Sequence, residues 1–255
     1  MAPSGPTADI SISAWKGPKV SNATPADTGR SILIVGASRG LGHAMAAEFA
    51  LRGWRVLGTV RRAGTPLHSL AAERPGAVEI ETLDITDHDQ MRALRDRLAG
   101  REFDIVFVNA GVASAPEDTM SEVSIDDFVR VMVTNVLGAM RAVEALGALA
   151  KGGGVIGVMS SGQGSIANNT NGINDVYRAS KAALNQAMAS YAARHLKDGR
   201  SVVLMAPGWI RTELGGPNAP FSVEEAMPRI VDVLIAKQDA PGLHYVDRHG
   251  QTVPW

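Results

Sequence analysis

The chain has 255 residues, 45% of them hydrophobic and 20% charged, which is enough apolar surface for a sizeable core and excludes a wholly disordered chain. Its 25 Lys and Arg against 26 Asp and Glu leave a net charge of -1, so no excess of positive charge favours a nucleic-acid partner. The absence of cysteine excludes disulfides, thiolate metal sites and thiol nucleophiles, and we predict no metal site. No apolar run approaches the roughly 20 residues of a membrane span and no signal-peptide pattern opens the chain, so we expect a cytoplasmic protein without a membrane partner.

Residues 1–30 are rich in Pro, Ser, Thr, Ala and Gly, which favours a flexible N-terminal extension. The alternative is an arm that folds over a site or a partner. The folded domain is predicted to span residues 31–255.

Short β-branched runs alternate with longer helical patterns from Ser31 onward, which is typical of βαβ units. Possible caps at Thr86 or Asp87, at Ser124, and at Ser222 with Glu225 support three of the helices. The pattern predicts a single doubly wound (Rossmann) α/β domain with a seven-stranded, mostly parallel sheet, helices on both faces, and a ligand crevice at the carboxyl ends of the strands. The predicted strands are 32–35, 55–60, 78–83, 103–108, 155–159, 202–206 and 243–246, and the predicted helices are 41–52, 66–73, 88–99, 125–149, 175–196 and 222–237.

A glycine-rich turn joins the first strand to the first helix, with glycines at 36, 40 and 42. A strand that turns sharply into a helix aims free backbone N–H groups and the positive end of the helix dipole at one place, which suits a pyrophosphate. Glycine allows the tight turn and the close approach. The alternative is a simple strand-to-helix connection.

Tyr177 and Lys181 lie four residues apart near the start of the helix predicted over 175–196, so both side chains can share one face. A free phenol has a pKa of about 10, and a neighbouring ammonium favours its ionised form. The pair therefore indicates an acid-base tyrosine, although a buried tyrosine beside a solvated lysine is the plainer alternative.

The Gly-x-x-x-Gly-x-Gly turn and the later Tyr-x-x-x-Lys resemble the motifs of the short-chain dehydrogenase/reductase (SDR) family, and the resemblance covers residues 31–255. The segment 164–166, the run 177–185 and the C-terminal tryptophan are similar to C-signal-like proteins and small carbonyl reductases. The resemblance implies an NADP(H)-dependent oxidoreductase that transfers a hydride between nicotinamide and a carbonyl or secondary alcohol. It also implies a homo-oligomer, either a dimer or a tetramer, for which the Ala- and Met-rich faces of helices 125–149 and 175–196 are candidates.

NADP rather than NAD is expected because no acidic residue ends the second strand. Arg61 and Arg62 stand there instead, and Arg39 lies in the glycine turn. Similarity to NADP-using members of the family assigns Arg39 and Arg61 to the 2'-phosphate, with Arg62 as a further candidate. The alternative is that these are surface arginines of a chain that uses arginine more than lysine.

The resemblance assigns further cofactor contacts at the ends of successive strands, although Asp, Asn and Gly also favour ordinary turns. In this assignment the Asp84 carboxylate and Ile85 backbone meet adenine, residues 109–111 shape the central sheet edge, and the segment after the sixth strand passes the nicotinamide. The implied cofactor-binding residues are Gly36, Ser38, Arg39, Gly40, Leu41, Gly42, Arg61, Asp84, Ile85, Asn109, Ala110, Gly111, Tyr177, Lys181, Pro207, Gly208, Ile210 and Thr212.

The resemblance also implies four catalytic residues. Tyr177 gives or takes the proton, and Lys181 tunes it and holds the ribose. Ser161 binds the carbonyl oxygen, with Ser160 as the alternative. Asn135 lies within a predicted helix although asparagine is a poor helix former, which indicates a kink or a bound water. The resemblance gives it a place in a water relay to Lys181. The alternative is a buried amide whose hydrogen bonds are all made within the protein.

Two other functions stay open beside the reductase. One is an NADP-binding signalling or regulatory protein with incidental catalysis, and the other is an epimerase or dehydratase that consumes no cofactor. A small-molecule carbonyl or alcohol of modest polarity is expected as the substrate, because the predicted lining (residues 113–114, 163, 166–173 and 209–221) holds no charged cluster.

Overall fold

The structure is a computed structural model, and it describes residues 28–115 and 119–255. The predicted N-terminal extension therefore lies outside the described residues, except for its last three. Among those, the Thr28 backbone N–H donates to the Gly53 carbonyl at 3.0 Å, and the Arg30 guanidinium lies 4.5 Å from the centroid of the Trp54 ring.

Seven strands form a single sheet in the order β3-β2-β1-β4-β5-β6-β7, and every neighbouring pair is parallel. The predicted doubly wound sheet is confirmed, and it is wholly rather than mostly parallel. Because β1 lies between β2 and β4, the strand order reverses beside it, and a crevice opens there at the carboxyl ends. The strands are β1 (Ser31–Val35), β2 (Arg55–Val60), β3 (Val78–Thr82), β4 (Phe103–Val108), β5 (Ala150–Met159), β6 (Ser201–Ala206) and β7 (Gly242–Asp247).

Seven α-helices accompany the strands in the described part of the chain. Three predicted caps are present: the Asp87 carboxylate accepts from the N–H groups of residues 89 and 90, Ser124 accepts from residue 127, and Ser222 forms a capping box with Glu225. The helices are α1 (Gly40–Leu51), α2 (Pro66–Glu73), α3 (His88–Arg97), α4 (Ile125–Met132), α5 (Ala139–Leu146), α6 (Asp175–Arg194) and α7 (Val223–Ala236).

The helix predicted over 125–149 is not uniform, because a π-helical turn, Val133–Gly138, separates α4 from α5 and a 3₁₀ turn, Gly147–Leu149, follows. Gly138 packs so tightly that an added Cβ would lie 2.9 Å from the Ile85 carbonyl oxygen. By length and composition the whole segment could span a membrane. However, Ala142, Val143 and Leu146 are fully buried in the core beneath the sheet, which is the behaviour of a core helix.

The core has two halves, one on each face of the sheet, and alternate residues of each strand supply them. In β1, Ile32 and Ile34 pack with α1 and α7, whereas Leu33 and Val35 pack with α3, α5 and α6. Such burial of both faces is the rule for parallel sheets. It leaves the carboxyl edge of the strands as the place where polar loops meet.

Candidate active site

The glycine-rich turn is compact because three backbone segments meet in it. Gly36 has a φ of +91°, and a Cβ on it would lie 2.8 Å from Ala110. A Cβ on Gly42 would lie 2.0 Å from the Gly36 carbonyl oxygen, to which the Asn109 side chain donates at 2.8 Å. Only glycine therefore fits at positions 36 and 42, and Asn109 and Ala110 form the wall against which the turn packs.

The open side of the turn fits a dinucleotide. The first N–H groups of α1 have no partner within the helix, and no carbon or polar atom lies within 4 Å of a Cβ placed on Gly40. The turn therefore presents Ser38, Arg39, Gly40 and Leu41 to an open crevice at a helix N-terminus, which is the geometry that holds a pyrophosphate.

The two arginines assigned to a 2'-phosphate are exposed, but they are not equivalent. Arg39 donates from Nη1 to the Glu213 carboxylate at 2.6 Å and 2.5 Å, with both side chains about 60% exposed. Arg61 has no ion pair with any described residue. Since an exposed ion pair contributes roughly 0–1 kcal/mol, Arg39 can leave Glu213 for a phosphate at small cost.

The ends of β3 and β4 lie on the same side of the sheet as the glycine turn. One oxygen of Asp84 accepts from the backbone N–H and the hydroxyl of Thr86, at 2.9 and 2.7 Å, so it closes a local turn before Asp87. The other oxygen has no described hydrogen bond. Ile85 is buried between this turn and Gly138. The geometry is thus compatible both with Asp84 as an ordinary turn residue and with a contact between its second carboxylate oxygen and adenine.

The loop after β5 places two serines in different surroundings. Ser160 is buried and donates to the Asn185 amide oxygen at 2.5 Å. Ser161 is half-buried, accepts from the Gln163 N–H at 3.1 Å, and has its hydroxyl near enough to Tyr177 to lower the pKa of the phenol. Ser161 is therefore the serine beside Tyr177, whereas the Ser160 hydroxyl is bonded to Asn185 of α6.

Tyr177 and Lys181 share one face of α6, as their spacing predicts, and the ammonium lies 5.6 Å from the centre of the phenol ring. Lys181 is buried and donates to the Met159 carbonyl at 2.8 Å. A Cβ added to Gly111 would lie 3.6 Å from the Lys181 ammonium, so this ammonium faces the crevice floor at the end of β4.

Burial shifts the pKa values of Tyr177 and Lys181 in opposite directions. It raises the pKa of Tyr177 to about 12, although the hydrogen bond from Ser161 partly offsets the effect, and it lowers the pKa of Lys181 to about 8. The expectation that the lysine lowers the tyrosine pKa is therefore not met in the protein alone. The reason is that removal from water disfavours the charged form of each group.

Asn135 lies in the π-helical turn and is fully buried. Its amide oxygen accepts from the Val112 N–H at 2.8 Å, and its amide nitrogen donates to the Val112 carbonyl at 2.8 Å and to the Ser180 hydroxyl at 2.9 Å. The side chain is thus satisfied, and it ties the end of β4 to α6 beside Lys181. The predicted kink is present as the π turn.

The segment after β6 runs along the same edge. Gly208 has a φ of +89°, Ile210 forms an isolated bridge with Phe221, and the Thr212 hydroxyl accepts from the Gly215 N–H at 3.0 Å. The Pro207 carbonyl faces the Arg248 guanidinium at 3.5 Å. These contacts hold residues 207–221 as a short ordered loop beside Ser161.

The C-terminal tail completes the edge, and sequence reasoning did not place it there. The buried Tyr245 hydroxyl donates to the Ser161 carbonyl at 2.6 Å, and its ring lies 5.1 Å from that of Trp255. The Trp255 carbonyl accepts from the Ser165 hydroxyl at 3.3 Å and from the Ala167 N–H at 3.0 Å. The sequence could have indicated this position, because β7, like the other strands, ends at the edge of the sheet where ligands bind.

A cavity of about 290 Å³ lies between the loop after β5, the end of β6 and this tail. Only Asn168 belongs to the lining predicted from the sequence. The charged residues Asp247 and Arg248, which that prediction lacked, also line it. The remaining lining residues are Gly162, Ala206, Gly208, Gln251, Thr252, Val253 and Pro254.

A parallel doubly wound sheet with a glycine turn at its first crossover and a Ser-Tyr-Lys cluster at its carboxyl edge defines a dinucleotide-dependent oxidoreductase. The family model of short chain dehydrogenases matches residues 30–221. The chain belongs to the short-chain dehydrogenase/reductase family and is an enzyme of the oxidoreductase class.

Known proteins support the same family and subgroup. A crystal structure of a short-chain dehydrogenase/reductase from Burkholderia multivorans with bound NADP is 59% identical, with a TM-score of 0.87 over 89% of this chain and 99% of that chain. A carbonyl reductase from Pseudomonas aeruginosa PAO1 in complex with NADP is 34% identical, with a TM-score of 0.82 over 89% and 99% of the two chains. The C-signal protein of Myxococcus xanthus is 32% identical over 65% of this chain and all of its own length.

Proposed function

We propose that the chain transfers a hydride between NADP(H) and a carbonyl compound or secondary alcohol, with Tyr177 as the general acid and base. The observation that carries this proposal is the cluster of Tyr177, the neighbouring Ser161 hydroxyl and the Lys181 ammonium, which lies 5.6 Å from the centre of the phenol ring. Similarity to two solved oxidoreductases with bound NADP supports the choice of cofactor.

NADPH, when bound, supplies the hydride, and the glycine turn, Arg39 and Arg61 are the residues that would hold its phosphates. The protein's part in the reaction is orientation and proton transfer. Ser161 and Tyr177 both direct hydroxyl groups to one place, where a carbonyl oxygen can accept from each. As hydride reaches the carbonyl carbon, the Tyr177 proton moves to that oxygen, and an alcohol and a phenolate result.

The raised pKa of Tyr177, about 12, keeps the phenol protonated at neutral pH, which is the form that donates a proton during carbonyl reduction. Lys181 lies beside the phenolate that forms and stabilises its charge. Asn135 fixes the end of β4 opposite Lys181 and so keeps the path to the crevice floor in place.

The 2'-phosphate assignment is tested with Arg61→Asp, and Arg55→Asp, an exposed arginine at the other end of β2, serves as the matched control. A charge-assisted hydrogen bond contributes about 1.5–3 kcal/mol, so we expect the preference for NADPH over NADH to fall by about 10- to 100-fold in the first variant. The control should change it by less than about 3-fold. Equal Michaelis constant ratios in the Arg61→Asp variant and the wild type would remove Arg61 from the site.

The reaction class is tested by following NADPH and NADH oxidation against a panel of aldehydes, ketones and diketones. Exposed apolar side chains surround the crevice, which favours substrates with an apolar body. These side chains are Ile166, Ile173, Trp209, Leu214 and Trp255. Tight NADPH binding without turnover of any panel member would instead support the regulatory alternative.

We also propose that the chain forms a homo-oligomer through α4 and the π turn that follows it. Ile125 of α4 is 81% exposed, and Val129 of α4 and Leu137 of the π turn are about half exposed. A patch of this kind on a soluble-type α/β fold marks a protein interface. Leu137→Asp is expected to reduce the molar mass measured by light scattering, and an unchanged mass would exclude this face. The cytoplasmic location stays a prediction.

A further inference from the structure

We infer that the cavity at the C-terminal tail is an anion subsite in which Arg248 binds a carboxylate of the substrate. The inference rests on the proposed carbonyl reduction, and it replaces the expectation of an uncharged substrate. The substrate class is then a carbonyl compound that carries a carboxylate, reduced to the corresponding hydroxy acid.

The Arg248 guanidinium is held in place but has no anionic partner. It lies 3.8 Å from the centroid of the Phe221 ring, and its Nη1 is 3.5 Å from the Pro207 carbonyl oxygen. No carboxylate among residues 28–115 and 119–255 lies within ion-pair distance of it. A planar guanidinium stacked on a ring and left with free N–H groups is prepared for a carboxylate, which it can bind through two oxygens.

The neighbouring carboxylate does not neutralise this arginine. One Asp247 oxygen accepts from the backbone N–H groups of His249 and Gln251, at 2.8 and 2.9 Å, so it closes the turn after β7. Asp247 and Arg248 both line the cavity, but one Asp247 oxygen is already bound by two backbone N–H groups, whereas no described carboxylate pairs with the Arg248 guanidinium, which is available to an anion. The cavity is at the small end of the range for ligand pockets, and its other walls combine apolar Ala206 and Val253 with polar Asn168.

The position of the cavity connects this charge to the reaction. Gly162, which follows Ser161 in the chain, lines one side of the cavity, and Gly208 lines another. An added Cβ on Gly208 would lie 2.5 Å from Arg248 Nη1, so the glycine gives the guanidinium its access to this edge. A substrate can then place its carbonyl at Ser161 and Tyr177 and its carboxylate at Arg248.

The test compares 4-carboxybenzaldehyde with its methyl ester, methyl 4-formylbenzoate, in NADPH oxidation by the full chain. Arg248→Gln removes the charge, and Arg55→Gln, an exposed arginine at the start of β2 that does not line the cavity, is the matched control. We expect Arg248→Gln to lower kcat/KM for the acid by about 10- to 100-fold and to leave the ester within about 2-fold. All variants are assayed at saturating NADPH, because Arg248 lies beside the Pro207 carbonyl, which is assigned to the cofactor.

An acid-to-ester ratio that is the same in the wild type, Arg248→Gln and Arg55→Gln would overturn the subsite while the proposed reductase function stands. A protein that reduces neither aldehyde is tested by calorimetry of its NADP⁺ complex with benzoate and with benzamide. Benzoate binding that Arg248→Gln abolishes supports the subsite without any turnover. Benzoate binding that is absent, or that is equal in the variant, overturns it.

Discussion

Replacement of Lys181 by methionine is expected to remove activity and to change how stability depends on pH. Burial lowers the pKa of Lys181 from 10.5 to about 8, so the folded protein binds this proton more weakly than the unfolded chain does. This difference corresponds to about 3 kcal/mol of unfolding free energy that the wild type lacks below pH 8. Methionine relieves that penalty but leaves the Met159 carbonyl, 2.8 Å from the ammonium, without its donor, at a cost of about 1–3 kcal/mol.

The pH dependence separates these two effects. Between pH 8 and pH 10 the folded wild type has released the Lys181 proton while the unfolded chain still holds it, so the unfolding free energy rises with pH. We expect the wild type to gain about 2 kcal/mol of unfolding free energy relative to Lys181→Met over this interval. As the pH approaches 10, the tyrosines with raised pKa values, Tyr177, Tyr191 and Tyr245, lower the stability of both proteins, because the unfolded chain loses their protons before the folded protein does.

Urea unfolding at intervals of half a pH unit, followed by tryptophan fluorescence, to which the buried Trp54 contributes, measures this difference. The other groups with shifted pKa values are common to both proteins, so the difference between the two pH profiles reports Lys181. Equal changes in unfolding free energy from pH 8 to pH 10 in the wild type and in Lys181→Met would refute the reasoning.

Three further predictions follow from particular contacts. Glu213→Gln removes the ion pair of Arg39 and should lower the Michaelis constant for NADPH by about 2- to 3-fold, while the constant for NADH stays unchanged. An equal effect on both cofactors would argue against a phosphate contact. Gly42→Ala should abolish cofactor binding and lower the melting temperature, because its Cβ would lie 2.0 Å from the Gly36 carbonyl oxygen; calorimetry that finds normal NADPH affinity would contradict this. Tyr245→Phe removes the 2.6 Å bond to the active-site serine carbonyl and should reduce kcat by about 10-fold with little change in KM, as steady-state kinetics can decide.

The fold could be predicted from the sequence because both faces of the sheet are buried. Continuous apolar strands such as Ile32 to Val35, alternating with helical segments of which several carry capping residues, leave few alternatives to a parallel doubly wound sheet. The π turn around Asn135 was only partly readable, since it depends on a tertiary contact with Val112 that local sequence does not encode.

The candidate site was readable where its residues lie close together in sequence or follow strands in order. Tyr177 and Lys181 share a helix face by spacing alone. The pKa values of this pair could not be read from spacing, because burial rather than proximity dominates them. Tyr245 and Arg248 were missed for a different reason: their partners, Ser161 and Phe221, are distant in the chain and are brought together only by the order of β5, β6 and β7.

Tyr177→Phe tests the central claim most directly, and Tyr191→Phe, a change of the same kind deeper in α6, is its control. NADPH oxidation with an active aldehyde and NADPH affinity by calorimetry are measured for both variants. We predict that Tyr177→Phe loses at least about 1,000-fold in kcat, since the general acid is removed, while the NADPH affinity stays within about 3-fold. Retention of wild-type turnover by Tyr177→Phe would contradict the proposed mechanism.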